Sequence, residues 1–325
     1  MISGAPSGNV PALPAASGGR AYAWYVLGLI VLAAAPFIIY PLFAAKVLCY
    51  CLFACAFNLL LGTSGLLSFG HAAFFGSAAY IAGHALKVWG LPFELAALLG
   101  TLTAAALGFV FGAVSIRRQG LYFAMITLAL AQMIYFIAFQ LPFTHAEDGL
   151  TAVPRGRILG LFDLNNLYVM YYTAAVVFVI GYLLIVRITH STFGQVLRAI
   201  RENQPRMISL GYSVNNYKLV VFILSAALSG LAGATKTMVV QLASTVDVHW
   251  ATSGDVTLMA LLGGVGTLFG PVVGGVIVES LQFYLADSGL PIQAVIGAIF
   301  VLCILLFRQG VVGELQRLRL KMALI

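Results

Sequence analysis

The chain has 325 residues, 62% of them hydrophobic and 8% charged, with a mean hydropathy of +1.02. A water-soluble globule carries about a quarter of its residues charged, so that class is excluded and the chain reads as a polytopic membrane protein. The formal charge of +7 would suggest nucleic acid in a soluble chain. Here the basic residues sit in short loops between apolar runs, which is the cytoplasmic Lys/Arg bias of membrane proteins, so lipid and not nucleic acid is the expected surroundings.

Residues 1–21, MISGAPSGNVPALPAASGGRA, are rich in Gly, Pro, Ser and Ala and predict a disordered tail. The following run, Trp24 to Phe43, has spanning length rather than the 7 to 15 apolar residues of a signal peptide. Further apolar runs follow at Val47–Leu61, Leu66–Leu86, Phe93–Val114, Leu121–Gln140, Leu167–Val186, Leu219–Val240 and Ile292–Phe307. Asp255 to Leu285 is too long for one ordinary span and is interrupted by GGVGTLFGPVVGG, residues 263–275. Pro271 removes a helical hydrogen bond there, which predicts two short helices forming a discontinuous or re-entrant segment, in preference to one kinked span. The fold expected is all-α, a single membrane helix bundle over residues 22–310 with roughly nine or ten crossings, followed by a basic tail over 311–325.

Basic loops orient the bundle. With Arg20 inside, counting spans places Ser115–Gly120 and Arg187–Lys218 in the cytoplasm and Pro142–Asn166 and Leu242–Gly254 outside. Both termini are then cytoplasmic, the second marked by Arg317, Arg319 and Lys321. The outer loops carry Glu147, Asp148, Asp163 and Asp247 against Arg155 and Arg157, whereas the inner ones carry six arginines against Glu202.

Catalytic signatures are missing from the sequence. There is no Gly-Lys dipeptide and therefore no Walker A loop, and neither His-Glu-x-x-His nor Gly-x-Ser-x-Gly occurs. The chain is read as no enzyme and as binding no cofactor itself. Cys49, Cys51, Cys55 and Cys303 lie in apolar runs without metal-ligand spacing and read as packing residues. In SGLLSFGHAAFFGSAAYIAGHA the small residues suit close helix packing. An ionisable group there needs a reason: His71, with Ser68 beside it, either lines a polar path or makes a structural hydrogen bond, and Glu279 either lines a path or meets an interhelical partner.

The stretch FGQVLRAIRENQPRMISLGYSVNNYK, Phe193 to Lys218, gathers charge that the rest of the chain lacks. Val196, Leu197, Ile200, Met207 and Ile208 fall near one helical face, with Arg198, Arg201, Glu202 and Arg206 on the other. Pro205 predicts two short helices, the second ending at Gly211. The apolar stripe suits a groove on a partner protein; a basic amphipathic helix lying on anionic lipid is the rival reading.

Three segments in order, GTSGLLSFGHAAFFGSAAYIAG, STFGQVLRAIRENQPRMISLGYSVNNYKLVVFILSAALSGLAGA and ALLGGVGTLFGPVVGG, resemble branched-chain amino-acid ABC transporter permeases of the LivM type. Two departures stand out: in the outer loop FTHAEDGLTAVPRG, Asp148, Gly149 and Leu150 match while His145 to Glu147 do not, and Pro205 interrupts a run that many relatives continue as a charged helix. The resemblance implies half of the translocation path of an importer in the inner membrane. It also implies partners: a second homologous permease, two ATP-binding-cassette ATPases carrying the ATP and Mg, and a periplasmic or extracellular substrate-binding protein. Residues 187–218 would be the coupling loop, with Phe193 to Gly211 seated on the ATPase. Urea or aromatic carboxylates are alternative substrates within that family. An ion-coupled secondary transporter, with His71 or Glu279 titrating, is the alternative from another class.

Overall fold

The computed structural model describes residues 30–286 apart from 142–143, 145–148 and 159–161, together with residue 28 and scattered positions between 294 and 314. The tail 1–21, residues His145 to Asp148, most of the span expected over Ile292–Phe307 and nearly all of 311–325 lie outside the described residues.

A helical stretch over residues 30–38 precedes α1, Pro41–Ser64. Three helices and a strand pair follow: α2, His71–Lys87; α3, Phe93–Ser115; α4, Leu121–Gln140; and a two-residue antiparallel ladder of β1, Arg157–Ile158, with β2, Phe162–Asp163. After α5, Leu167–His190, come the short α6, Thr192–Glu202, and α7, Gln204–Ser209. The chain continues through α8, Val214–Val240, α9, Thr245–Val248, α10, Trp250–Gly263, and α11, Gly270–Leu285. Five of these, α1, α3, α4, α5 and α8, are long and apolar enough to cross a membrane, and the molecule is a polytopic helical bundle.

Burial ranks the helices. Inside the apolar window of α1, 78% of residues are buried, and in α8 67%, against 33% in α3 and 28% in α4. The first two therefore form the axis of the bundle, while α3 turns Leu95, Leu98, Leu102 and Phe109 outward at helical spacing. Close approach at the axis depends on missing side chains: a Cβ on Gly233 of α8 would overlap the Phe75 carbonyl of α2, and one on Gly76 of α2 would overlap Val248.

Three expectations are corrected or refined. The first boundary falls at Ile39 and Tyr40, not at Lys46, because Pro41 occupies the opening of α1, where its missing N–H costs nothing. Lys46 lies inside α1 because it has an ion-pair partner, Glu279. Leu66–Leu86 is not one helix: residues 65–70 are non-helical and α2 begins at His71. Gly65 ends α1 in the left-handed region at φ 72°, a conformation that favours glycine. The glycine-rich segment does break into two helices, α10 and α11, which fold back on one another with Asp255 opposite Gln282. Against roughly nine or ten crossings expected from apolar runs, the shorter α2, α10 and α11 appear because the break divides a run.

Candidate functional site

The two interrupted runs meet inside the bundle. α2 lies parallel to α8, with His71 beside Ser225 and Gly83 beside Thr237, while the segment of α9 and the start of α10 runs past α2 in the opposite sense, Val248 of α9 beside Gly76 and Ser253 of α10 beside Ala72. In each case a non-helical stretch precedes a helix: 65–70 before α2, and 241–244 with the single turn of α9 before α10. The chain is thus opened twice, with opposite polarity, around one crossing point.

Freed backbone groups in such a place must be satisfied by the protein. The Phe69 amide donates to Thr127 Oγ1 at 3.2 Å and the Gly70 amide to Ser68 Oγ at 3.2 Å. The Ala72 amide, an unpaired donor of the first turn of α2, reaches Ser253 Oγ at 2.8 Å. In the second stretch Asp247 accepts from the Ser244 amide at 3.1 Å, and Thr252 Oγ1 donates to the Val246 carbonyl at 2.7 Å. The turn between α10 and α11 is held by Asn58 of α1, whose Oδ1 accepts from the Gly266 amide at 3.0 Å while its Nδ2 donates to the Thr267 carbonyl at 2.9 Å.

Ser68, His71 and Glu279, the expected path residues, are all buried. Ser68 serves its own turn. His71 Nε2 lies 2.9 Å from Ser225 Oγ, and Ser225 donates its hydroxyl proton to the Ala56 carbonyl at 2.6 Å. A hydroxyl has one proton, so Nε2 must be the donor to Ser225. The imidazole is enclosed edge-to-face by Phe57, Phe74 and Phe222, and here it makes the structural hydrogen bond that joins α2, α8 and, through Ser225, α1. Glu279 of α11, 1% exposed, pairs with Lys46 of α1 at 3.0 Å. Ser68 and His71 are thus brought to the crossing, and Glu279 is not: it belongs to a separate ion pair.

Sequence reasoning missed a second ion pair. Lys236 near the end of α8 meets both carboxylate oxygens of Asp247 in α9, at 2.8 and 2.7 Å, with both side chains almost wholly buried. The signal was present as a lysine in an apolar run, which in lipid demands a counter-charge. The loop between α4 and α5 closes over this end by main-chain pairing of Leu150 with Ala243, N to O at 2.8 and 3.0 Å in the two directions. Arg155 donates to the Val239 carbonyl at 3.0 Å, and burial lowers its pKa from the ordinary guanidinium value. Gly149 and Leu150 of that loop therefore pack inward, Leu150 with no exposure at all.

At the opposite end lie α6 and α7, separated at Asn203, with Pro205 in the first turn of α7 and a turn at Gly211, as the sequence predicts. Their apolar stripe, expected to be free for a partner groove, is turned onto the chain itself. Leu197, Ile200 and Met207 are buried, Val196 is half-buried against Ile200, Met207 and Val214, and Phe193 stacks on Tyr217; only Ile208 is exposed. The physical reason is that the bundle's end offers an apolar floor, and covering it contributes roughly 1.5–3 kcal/mol per large side chain. Two arginines tie the element to the bundle as well: half-buried Arg198 donates to the Thr189 carbonyl of α5 at 3.0 Å and the exposed Arg201 reaches the Gly62 carbonyl of α1 at 2.6 Å. Each caps a helix C-terminus, where free carbonyls and the helix dipole favour a cation. Left facing outward are Glu202, Arg206, Ile208, Leu210, Gly211 and Tyr212.

Residues 39–307 match the family model described as branched-chain amino acid transport system / permease component. The chain is 25% identical over 290 residues to the high-affinity branched-chain amino acid transport system permease protein LivM of Salmonella typhimurium, and equally to that of Escherichia coli, covering 82% of this chain and 68% of each relative. It is also 25% identical over 283 residues to the permease protein BraD of Pseudomonas aeruginosa, covering 92% of that protein. A match running from the start of α1 past the end of α11 takes in the crossing, both ion pairs and the clamped α6–α7 element together, and on it the chain belongs to the branched-chain amino acid transport permease family.

Proposed function

We propose that this chain is the membrane permease of an ATP-driven importer in the inner membrane, forming half of the path for branched-chain or related small amino acids. A second, homologous permease supplies the other half, two ATP-binding-cassette ATPases bind and hydrolyse ATP with Mg, and a substrate-binding protein delivers the cargo outside. Residues 22–310 act as one permease domain between two tails, with the basic end of the bundle and both termini in the cytoplasm.

The observation that carries this reading is the α6–α7 element. Its apolar face and Arg198 and Arg201 bind it to α5 and α1, so a push on its outer face is delivered to two long helices. Ile208, Leu210 and Tyr212, 55%, 64% and 40% exposed and flanked by Glu202 and Arg206, form the knob that enters the ATPase. A carrier driven by ion gradients needs no such element, and the buried acids that could titrate, Glu279 and Asp247, each hold a lysine.

Co-purification of the chain with its ATPase, followed by binding-protein-dependent, vanadate-sensitive uptake of leucine in vesicles, tests the assignment. Leu210→Asp should release the ATPase while the permease still folds and inserts, because a carboxylate at an exposed position costs the isolated chain nothing. Uptake that persists without any ATPase would overturn the proposal.

A further inference from the structure

A second feature of the basic end serves neither packing nor the proposed docking knob. Between the end of α1, the turn before α4 and the inner side of α6–α7 lies a cavity of about 400 Å³. Ligand pockets run from about 300 to 1,000 Å³, so this space, open at the Gln119 rim, has the size for a small molecule. Lys218 and Arg201 line it, and Leu61, Leu66 and Ile200 form an apolar wall.

Both charged side chains on its wall are cations, and the carbonyl end of α1 that borders it is already capped by Arg201 through the Gly62 carbonyl. Lys218 is 5% exposed, and its Nζ donates to Gln204 Oε1 at 2.8 Å, a neutral amide. Among the described residues neither Lys218 nor Arg201 meets a carboxylate; the ion pairs there are Lys46–Glu279 and Lys236–Asp247. A buried ammonium without a counter-charge is costly, and an anion in the adjoining space removes that cost. Gly120, which also lines the cavity, opens α4 without any side-chain cap, so the positive end of a 20-residue helix adds to the same wall.

We propose that this cavity is a binding site for a small aliphatic monocarboxylate lacking an ammonium group, a short fatty acid or 2-oxo acid. The carboxylate takes the place beside Lys218 and Arg201, and the aliphatic portion lies on Leu61, Leu66 and Ile200. A zwitterionic amino acid is disfavoured because its ammonium would stand among cations with no acid to meet it. Occupancy joins α1, the turn before α4 and the α6–α7 element through one ligand, so the site stiffens the connection that the ATPase would move. Its placement in the cytoplasm rests on the proposed function; the binding itself does not.

The test uses the full chain in lipid nanodiscs without ATPase, titrated calorimetrically with 3-methylbutanoate, 4-methyl-2-oxopentanoate, leucine and inorganic phosphate. Both carboxylates are expected to bind saturably, with leucine at least tenfold weaker. Lys218→Met should weaken the carboxylates at least tenfold. Gln119→Trp, which fills the cavity from an exposed rim position and leaves every charge in place, should abolish binding even if Lys218→Met folds poorly. No saturable carboxylate binding, leucine binding as tightly as its 2-oxo analogue, phosphate binding in preference, or unchanged binding in Gln119→Trp would each overturn the proposal. A chain that binds these acids yet transports nothing with its ATPase would sink the proposed function alone.

Discussion

Replacing Lys236 by Met isolates the energetics of the second broken stretch. The parent pair is bidentate, at 2.8 and 2.7 Å, and both residues are buried, Lys236 at 5% and Asp247 at 3% exposure. Removing the cation leaves Asp247 with only the Ser244 amide and hydroxyl, at 3.1 and 3.2 Å, in a low-dielectric site. Breaking a buried pair from one side costs about 3–5 kcal/mol, whereas replacing both members with neutral groups of similar volume is close to neutral. Lys236→Met should therefore lose about 3–5 kcal/mol, Asp247→Asn about 3 kcal/mol, and the double variant should return to within about 1 kcal/mol of the parent. Denaturant titration of the purified chain in mixed micelles, read as a double-mutant cycle, measures this. Additive losses in the double variant, or single losses under about 1 kcal/mol, would refute the view that this pair holds α9 against α8.

The other expectations follow the same packing. Gly233→Ala forces a methyl onto the Phe75 carbonyl and should prevent stable assembly of α2 with α8, while Gly254→Ala in α10, with open space at that position, should stabilise by about 0.5–1 kcal/mol in the same titration. Ile200→Asp should destabilise the isolated chain by about 2 kcal/mol or more, since Ile200 is 2% exposed and covers the bundle's own floor. An Ile200→Asp chain as stable as the parent but unable to hold the ATPase would restore the partner-groove reading. Ser213→Cys in intact cells should be labelled only by reagents that enter the cytoplasm, and labelling from outside would invert the topology.

What the sequence made legible was set by the kind of signal each feature leaves. Long apolar runs marked α3, α4, α5 and α8 to within a turn or so, because lipid imposes both length and composition. Pro205 marked the break between α6 and α7 through its local backbone demands. The break at 65–70 left no trace in hydropathy: Leu66, Leu67 and Phe69 are as apolar as a helix interior, and their departure from helix depends on Thr127 of α4, distant in sequence. The direction of the α6 stripe was legible as a periodicity but not as an orientation, since an apolar face says that something covers it and not whether that is its own chain. Asn58 and Lys236 were single polar residues in greasy runs, and their roles as a turn clamp and a buried cation emerged only with their partners in place.

The pairing of Leu150 with Ala243 has a mechanical consequence. Both bonds run between main-chain groups, so they form a hinge plate whose strength does not depend on which side chains stand there. A load applied to the loop at residues 149–155 travels through this plate to Ala243, then four residues along the chain to Asp247 and the turn that opens onto α10. The surface residues of that loop are thus free to change while the pairing beneath stays constant. Side-chain exchange leaves the plate intact; proline at Ala243, which deletes one of its two amides, would disconnect it.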